Sequence, residues 1–134
     1  MIKNEKQYKV SKKRLAEIEQ LLKEKKAKAG TREAGALSSL AVMKDEIANQ
    51  VKQYETLKTK GITLRKKITV SRLPGILIEH KISQGFTQKQ YSEILGIKEQ
   101  QLQRYEAENY QSVSFGRLME YLSKAKINVS VVVE

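Results

Sequence analysis

The chain has 134 residues, no cysteine and a formal net charge of +11 at pH 7. The lack of cysteine excludes disulfides, thiolate zinc sites and a cysteine nucleophile. This length suits one domain, or one domain with an extension. The positive charge favours an acidic partner, which means nucleic acid, an anionic membrane surface or an acidic protein.

Two further absences bear on location. No apolar run approaches the roughly 18 residues that indicate a membrane span. The opening "MIKNEKQYKVSKKRL" lacks the apolar core of a signal peptide. We therefore expect a soluble cytoplasmic protein with no membrane partner.

Residues 1–60 contain no proline and carry 15 Lys+Arg against 8 Asp+Glu. Ser11 is a candidate N-cap, with Val10 and Leu15 at the spacing of a hydrophobic staple. This predicts a helix that ends near Gly30. Its expected inward face consists of Leu15, Ile18, Leu21 and Leu22.

A second helix is predicted from a cap at Thr31 to about Thr59, before Gly61. Six of its positions step alternately by three and four residues, which is a short heptad seam. Residues 1–60 are therefore an expected helical hairpin arm that either packs on itself or serves dimerisation or partner binding. The seam holds Leu37, Leu40, Lys44, Ile47, Val51 and Tyr54.

Residues 61–72 form a basic segment in which β-branched residues alternate with cations. A linker and a short edge strand both fit this pattern. The charges are either a solvated run or a strip that follows phosphates. The cations in question are Arg65, Lys66, Lys67 and Arg72.

Residues 73–126 contain clear helix signals. Pro74 fits the first position of a helix that carries Leu77, Ile78 and Ile82 and stops at Gly85. Thr87 and Gln90 form a T-x-x-Q capping box, with Phe86 and Tyr91 at staple spacing. A short helix from Gln88 to Leu95 should follow, then a turn at Gly96, then a third helix from Ile97 to about Glu108. Two short helices across a glycine turn indicate a helix-turn-helix.

The spacing within this unit, counted from Gln88, carries a family resemblance. The fourth, eighth, tenth, fifteenth and eighteenth positions are apolar or aromatic, the fifth is small and the ninth is glycine. These residues are Tyr91, Leu95, Ile97, Leu102 and Tyr105, then Ser92 and Gly96. The pattern resembles the Cro/CI (Xre) family of helix-turn-helix DNA-binding domains over roughly residues 71–126. Ser92 stands where the family usually has alanine.

The resemblance implies a mainly α fold, with a four-helix domain at 73–126. It also implies a scaffold pair between Lys81 and Glu106. The alternative is a generic three-helix core with no role in DNA binding. Ser114 is a candidate cap for the fourth helix, whose expected core residues are Phe115, Leu118, Leu122 and Ala125.

The segment 127–134 alternates apolar and polar residues, which predicts a short β-strand. Such a strand has an open edge. It could pair with the same strand of a second copy, giving a homodimer, or with residues 62–70 of its own chain. The apolar positions are Ile127, Val129, Val131 and Val133.

The third helix has a polar outer face. With Leu102 taken as inward, Gln100, Gln103 and Arg104 point away from the core, whereas Lys98 lies within about 60° of the inward direction. Glutamine matches the hydrogen-bonding edge of adenine and arginine matches that of guanine. The resemblance implies base contacts by Glu99, Gln100 and Arg104, and the geometry adds Gln103.

Phosphate contacts are expected from residues around this helix and from the basic segment, and they should weaken with salt. The resemblance implies a phosphate contact by Gln88, and its backbone amide lies at a positive helix end, which suits an anion. The expected set is Gln88, Lys89, Lys98, Gln101, Asn109, Tyr110, Arg72, Arg65, Lys66 and Lys67.

The run "QRYE" followed by "ENY", with the opening "IKNEKQYKVSKKR", resembles antitoxins of the HigA type. That resemblance implies a dimer that binds operator DNA, represses its own operon and neutralises a cognate toxin protein. Alternatives are a stand-alone phage- or plasmid-type repressor and a protein-bridging transcription cofactor. Catalysis and cofactors are not expected, because the single histidine, His80, has no cluster of ligands or nucleophile motif around it.

Overall fold

The computed structural model describes residues 1–28, 34–61 and 66–134. Over those residues the protein is mainly helical, with α-helices and one short 3-10 helix and no strand. The chain divides into two compact units, Met1–Thr56 and Leu57–Glu134. The predicted helix end at Gly30, the predicted cap at Thr31 and the predicted phosphate contact Arg65 lie outside the described residues.

The first unit contains helix α1, Glu5–Lys28, and most of helix α2, Ala34–Lys60. The prediction that Ser11 caps α1 is wrong, because the helix begins about two turns earlier. Asn4 Oδ1 accepts a hydrogen bond from the backbone N–H of Gln7 at 2.8 Å, which is how an N-cap satisfies a free donor in the first turn. Val10 is exposed and forms no staple.

Helices α1 and α2 are antiparallel partners. The ring of Tyr8, near the start of α1, stacks on that of Tyr54, near the end of α2, with centroids 4.8 Å apart. The Tyr8 hydroxyl donates to Glu55 at 2.5 Å, and the Tyr54 hydroxyl donates to Glu5 at 3.0 Å. These contacts show that the arm packs on itself within one chain.

Burial in the first unit is concentrated at four positions of the pair, Ile18, Leu22, Val51 and Tyr54. Leu21 was expected to face inward but is 43% exposed. The other positions of the predicted heptad seam are only half-buried, and they are Leu37, Leu40, Lys44 and Ile47.

The second unit contains a 3-10 helix, Val70–Arg72, and four α-helices: α3, Leu73–Ser83; α4, Gln88–Leu95; α5, Glu99–Ala107; and α6, Phe115–Lys124. Their apolar faces meet in one core that includes Leu77, Ile78, Tyr91, Leu95, Leu102 and Leu122. Phe115 is a correction, since it was expected in this core but is 60% exposed.

The start of α4 is fixed by its capping box. Thr87 Oγ1 accepts from the N–H of Gln90 at 3.1 Å, and Gln90 Oε1 accepts from the N–H of Thr87 at 3.0 Å. The box predicted from the sequence is confirmed. At the other end, Gly96 has φ +71°, a backbone conformation that glycine adopts without steric cost.

The segment 127–134 has no regular secondary structure in this chain. Val131, Val132 and Val133 are exposed to 61%, 70% and 92%. No strand is present at 66–70 either, and residues 62–65 are not described. A strand that pairs with a second copy therefore stays a prediction.

In the described part of the chain, no helix is both long and apolar enough to cross a membrane.

Replacing Thr87 by Ala should destabilise the second unit by about 1 kcal/mol, because the cap bond to Gln90 is lost. Thermal unfolding followed by circular dichroism measures this loss. Thr87→Ser keeps the hydroxyl and is the control. Equal melting temperatures for the two variants would contradict a stabilising cap.

Candidate nucleic-acid interface

The outer face of α5 is a polar surface with little contact to the rest of the unit. Glu99, Gln100, Gln103 and Arg104 are all exposed, and Leu102 on the opposite side is fully buried. The four residues predicted to contact bases therefore share one solvent-facing side of one helix. Two amides and one guanidinium are available there to donate hydrogen bonds.

The N-terminus of α5 differs from the prediction. The helix begins at Glu99, with Lys98 as an extended N-cap residue at ψ 146°, rather than at Ile97. Lys98 is consequently exposed and lies just before the helix, so its predicted inward direction is wrong. This location still allows an ammonium group to contact a phosphate.

The connection between α4 and α5 is tightly bonded. The N–H of Ile97 donates to the carbonyl of Ser92 at 3.0 Å, and the N–H of Gly96 donates to that of Glu93 at 3.2 Å. Lys124, in the last turn of α6, donates to the carbonyl of Leu95 at 3.3 Å. The ammonium group thus stabilises the negative C-terminal end of α4.

Lys124 also lies close to Gly96 in the turn. A Cβ atom at Gly96 would lie 3.2 Å from Lys124 Nζ. Sequence analysis missed this lysine, because it lies 29 residues from its partner and a lysine in a last helical turn is an ordinary feature.

A buried ion pair lies behind the exposed face. Lys81 Nζ in α3 is 2.8 Å from Oε1 and 2.7 Å from Oε2 of Glu106 in α5, and each side chain is 2% exposed. Burial lowers the pKa of Lys81, and the negative charge of Glu106 opposes that shift. The structure thus brings together the two residues that the sequence suggested as a scaffold pair.

Gln88 joins this pair, which the sequence did not indicate. Its Nε2 donates to Glu106 Oε1 at 2.8 Å, so the first residue of α4 is tied to the last turn of α5. This bond engages the side-chain amide, whereas the anion contact predicted for Gln88 uses its backbone N–H. The backbone N–H groups of Gln88 and Lys89 remain as donors, because the first N–H groups of a helix have no partner within it.

Two other predicted phosphate contacts are constrained by their surroundings. Gln101 is half-buried and its Nε2 donates to the Tyr105 hydroxyl at 2.8 Å. Tyr110 is 1% exposed, and its ring centroid lies 5.8 Å from that of Tyr105. A phosphate contact by the Tyr110 side chain is therefore a wrong prediction.

The reason for the burial of Tyr110 is the backbone after α5. Asn109 and Tyr110 both have positive φ, 54° and 59°, and the N–H of Tyr110 donates to the carbonyl of Tyr105 at 2.7 Å. The chain thus turns back and directs the tyrosine ring into the core. Asn109 stays exposed at this turn.

The other predicted phosphate contacts are exposed cations. Lys66 lies 3.8 Å from Glu79 Oε2 and is partly neutralised by that carboxylate. The exposed set in the described residues is Lys66, Lys67, Arg72, Lys89 and Lys98.

The single histidine has a packing role. His80 Nδ1 is 3.1 Å from the Tyr91 hydroxyl, and burial lowers the histidine pKa. Over the described residues there is no group of three or more histidines, cysteines or carboxylates that could hold a metal ion.

Comparison of the chain with protein-family models, with curated proteins and with solved structures finds no match. The functional argument therefore depends on the geometry of this chain.

Replacing Lys81 by Met should destabilise the second unit by about 3–5 kcal/mol, because Glu106 would keep a buried charge without its cation. Urea denaturation measures the change. The double variant Lys81→Met with Glu106→Leu is the control and should recover much of the loss, since it removes both charges. A double variant less stable than Lys81→Met would contradict this account of the pair.

Proposed function

We propose that α4, the turn at Gly96 and α5 act as a helix-turn-helix that binds double-stranded DNA in a sequence-specific manner. The observation that supports this most directly is the contrast between the two sides of α5. Its inner side is fixed by a buried ion pair, and its outer side presents polar groups together with the small Ala107. A stable helix with unengaged hydrogen-bonding groups is what direct readout of bases requires.

In the proposed complex, α5 lies in the major groove, with its N-terminal residues deepest. Gln100 can donate to N7 and accept from N6 of one adenine with a single amide. Arg104 can donate to both O6 and N7 of a guanine. Each such bidentate pair contributes about 1–3 kcal/mol of discrimination against the wrong base.

Glu99 sharpens this selectivity. A carboxylate near the groove can accept a hydrogen bond from N4 of cytosine. At any site where it does not meet that donor, it repels the phosphates. Gln103 lies on the same face and adds a further amide one turn from Glu99.

Phosphate contacts set the position of the helix on the duplex. Lys89 is the second residue of α4, Lys98 immediately precedes α5, and Asn109 follows α5. The free N–H groups at the start of α4 add partial positive charge at a helix end. These contacts are the same for every sequence and become weaker as salt displaces them.

Replacing Gln100 and Arg104 together by Ala should abolish discrimination between sequences while the fold remains, because both residues are exposed. A selection from random 20-base-pair duplexes first defines the preferred site. Mobility-shift titrations of that site and of a scrambled duplex then measure the ratio of affinities, which should fall by about 5- to 150-fold per lost base contact.

The matched control is Lys23→Ala with Gln20→Ala, which removes one cation and one amide from exposed positions of α1. The control should keep the affinity ratio of the unaltered protein. If the double variant of α5 still discriminates its site, the assigned reading face is wrong. If the unaltered protein selects no sequence at all, sequence-specific binding is refuted.

The proposal includes a homodimer. Exposure of the valines at 131–133 to solvent is unfavourable. If this segment paired antiparallel with the same segment of a second copy, one apolar face would be buried and the facing edges of the two strands would be hydrogen-bonded. A dimer would place two reading helices on half-sites one helical turn apart, about 34 Å, or a multiple of that.

Deleting residues 128–134 should shift the protein from dimer to monomer at micromolar concentration, as measured by light scattering. Val131→Lys tests the same point within the full chain, because residue 131 lies on the expected pairing face. Val132→Lys, on the other face of the strand, is its control. A deletion variant that stays dimeric would refute the strand pairing.

The biological role that we propose is autoregulation, in which the dimer represses the operon that encodes it and also neutralises a toxin encoded beside it. The support for this is the likeness of the chain to HigA-type antitoxins in short stretches. Repression of a reporter placed behind the promoter of the chain's own gene tests the first part. Co-expression with the product of the neighbouring gene tests the second.

A further inference from the structure

The first half of α1 carries a dense cluster of cations that the reading face does not include. Five of the nine residues from 6 to 14 are Lys or Arg, and none is acidic. All five are exposed. We call the surface that they form the basic face of α1, and it consists of Lys6, Lys9, Lys12, Lys13 and Arg14.

Helical geometry places three of these cations in one row. At about 100° per residue, Lys6, Lys9 and Lys13 fall within roughly 60° of one another. That direction is opposite to Ile18 and Leu22, which are buried in the first unit. The row therefore points directly to solvent, with Lys12 and Arg14 on its two sides.

As far as the structure describes the chain, the three cations of the row form no ion pair that stabilises the fold. In the described parts of the chain, no carboxylate is in ion-pair contact with Lys6, Lys9 or Lys13. Lys12 is placed over the ring of Tyr8 at 5.5 Å. A row of unpaired ammonium groups on one helix raises the electrostatic cost of folding, because like charges repel within the first turns.

The cluster has a defined end. Glu17 and Glu24 occupy the same outward direction further along α1, at roughly 20° and 0° from Lys6. The basic face thus spans residues 6–14, about 12 Å along the axis. One DNA strand presents about three to four phosphates over that length, at 3.4 Å of axial rise each.

From this arrangement we infer that the basic face of α1 binds the phosphate backbone of double-stranded DNA, as a second contact separate from the reading face of α5. The inference goes beyond the proposed function and rests on it for the choice of DNA as the partner. If the second unit of the same chain holds a duplex, the local concentration of DNA around the basic face is high.

The chemistry of the face favours DNA over the other acidic partners. A membrane-surface helix needs a broad apolar side, and the apolar side of α1 is buried in the hairpin. An interface with an acidic protein needs apolar or aromatic anchors at its centre. Among these cations Val10 is the single exposed large apolar residue, and the ring of Tyr8 is half-buried against Tyr54. Phosphates need only the ammonium and guanidinium groups.

The test is the triple variant Lys6→Gln, Lys9→Gln and Lys13→Gln in the full chain. Glutamine keeps a good helix former at each position and removes three charges. The affinity for a random-sequence 30-base-pair duplex is measured by fluorescence anisotropy at several salt concentrations. The slope of log affinity against log salt should become shallower by about 2.7, because each phosphate contact contributes about 0.9.

The matched control is Lys23→Gln, Lys60→Gln and Lys126→Gln, which removes the same charge from three separate exposed positions. Its slope should stay near that of the unaltered protein. Equal slopes for the two triple variants would overturn the inference, because the effect would then come from net charge alone. An unchanged slope for the first variant would also overturn it.

Two further measurements separate this inference from its alternatives. The ratio of affinities for the selected site and a random duplex should not change in the triple variant, because phosphates are alike in every sequence. If the unaltered protein bound the selected site and the random duplex with equal affinity, sequence-specific reading would be refuted. The phosphate contact would then be judged by the slope alone. If the triple variant lost binding to vesicles of phosphatidylcholine and phosphatidylglycerol but kept the salt slope of the unaltered protein for the duplex, the basic face would be a membrane contact. That result would overturn the inference.

Discussion

The buried contact between Lys81 and Glu106 is the constraint on which the arrangement of the second unit depends. A charge with 2% exposure is costly unless a partner of opposite charge and further hydrogen bonds are in place. Glu106 therefore links three elements. From the last turn of α5 it accepts hydrogen bonds from the ammonium group of Lys81 in α3 and from the side-chain amide of Gln88 at the start of α4. The angle between α4 and α5 follows from these bonds.

This constraint has a direct effect on the outer surface. A helix whose inner side is held by directional bonds cannot rotate about its axis without breaking them, so the direction of Gln100 and Arg104 is also fixed. Precise direction is what distinguishes a hydrogen bond to a base edge from a general attraction to phosphates. At the other end of α4, Lys124 adds a second fixed point through the carbonyl of Leu95.

The parts of the fold that the sequence predicted are those set by local rules. The capping box of Thr87 and Gln90, the glycine turn after Leu95 and the spacing of the buried positions each depend on residues within a few turns. Local rules were insufficient where two signals competed. Asn4 and Ser11 are both good N-cap residues, and the pattern favoured Ser11 because of Val10, whereas packing of Tyr8 on Tyr54 extends the helix back to Glu5.

The features of the candidate site that the sequence did not indicate have two causes, which are contacts between residues distant in sequence and unusual backbone dihedral angles. The side-chain amide of Gln88 donates to Glu106, 18 positions away, and Lys124 donates to the carbonyl of Leu95, 29 positions away. Tyr110 is buried because two successive residues adopt positive φ, and asparagine before tyrosine gives only a weak signal for such a turn. The strand predicted at 127–134 does not form within this chain.

The distribution of the tyrosines has a consequence for alkaline solution. The chain contains six tyrosines and no tryptophan, so its near-ultraviolet absorption comes from phenols. Burial raises the pKa of Tyr91 and Tyr110 in the second unit, and the charge of Glu106 raises both further. A tyrosine of the unfolded chain ionises near pH 10, whereas a buried one stays protonated at that pH. Unfolding above about pH 10 therefore releases protons, and the folded state loses stability as the pH rises further. The change in ultraviolet absorbance that marks ionisation of these tyrosines would thus accompany unfolding of the core itself.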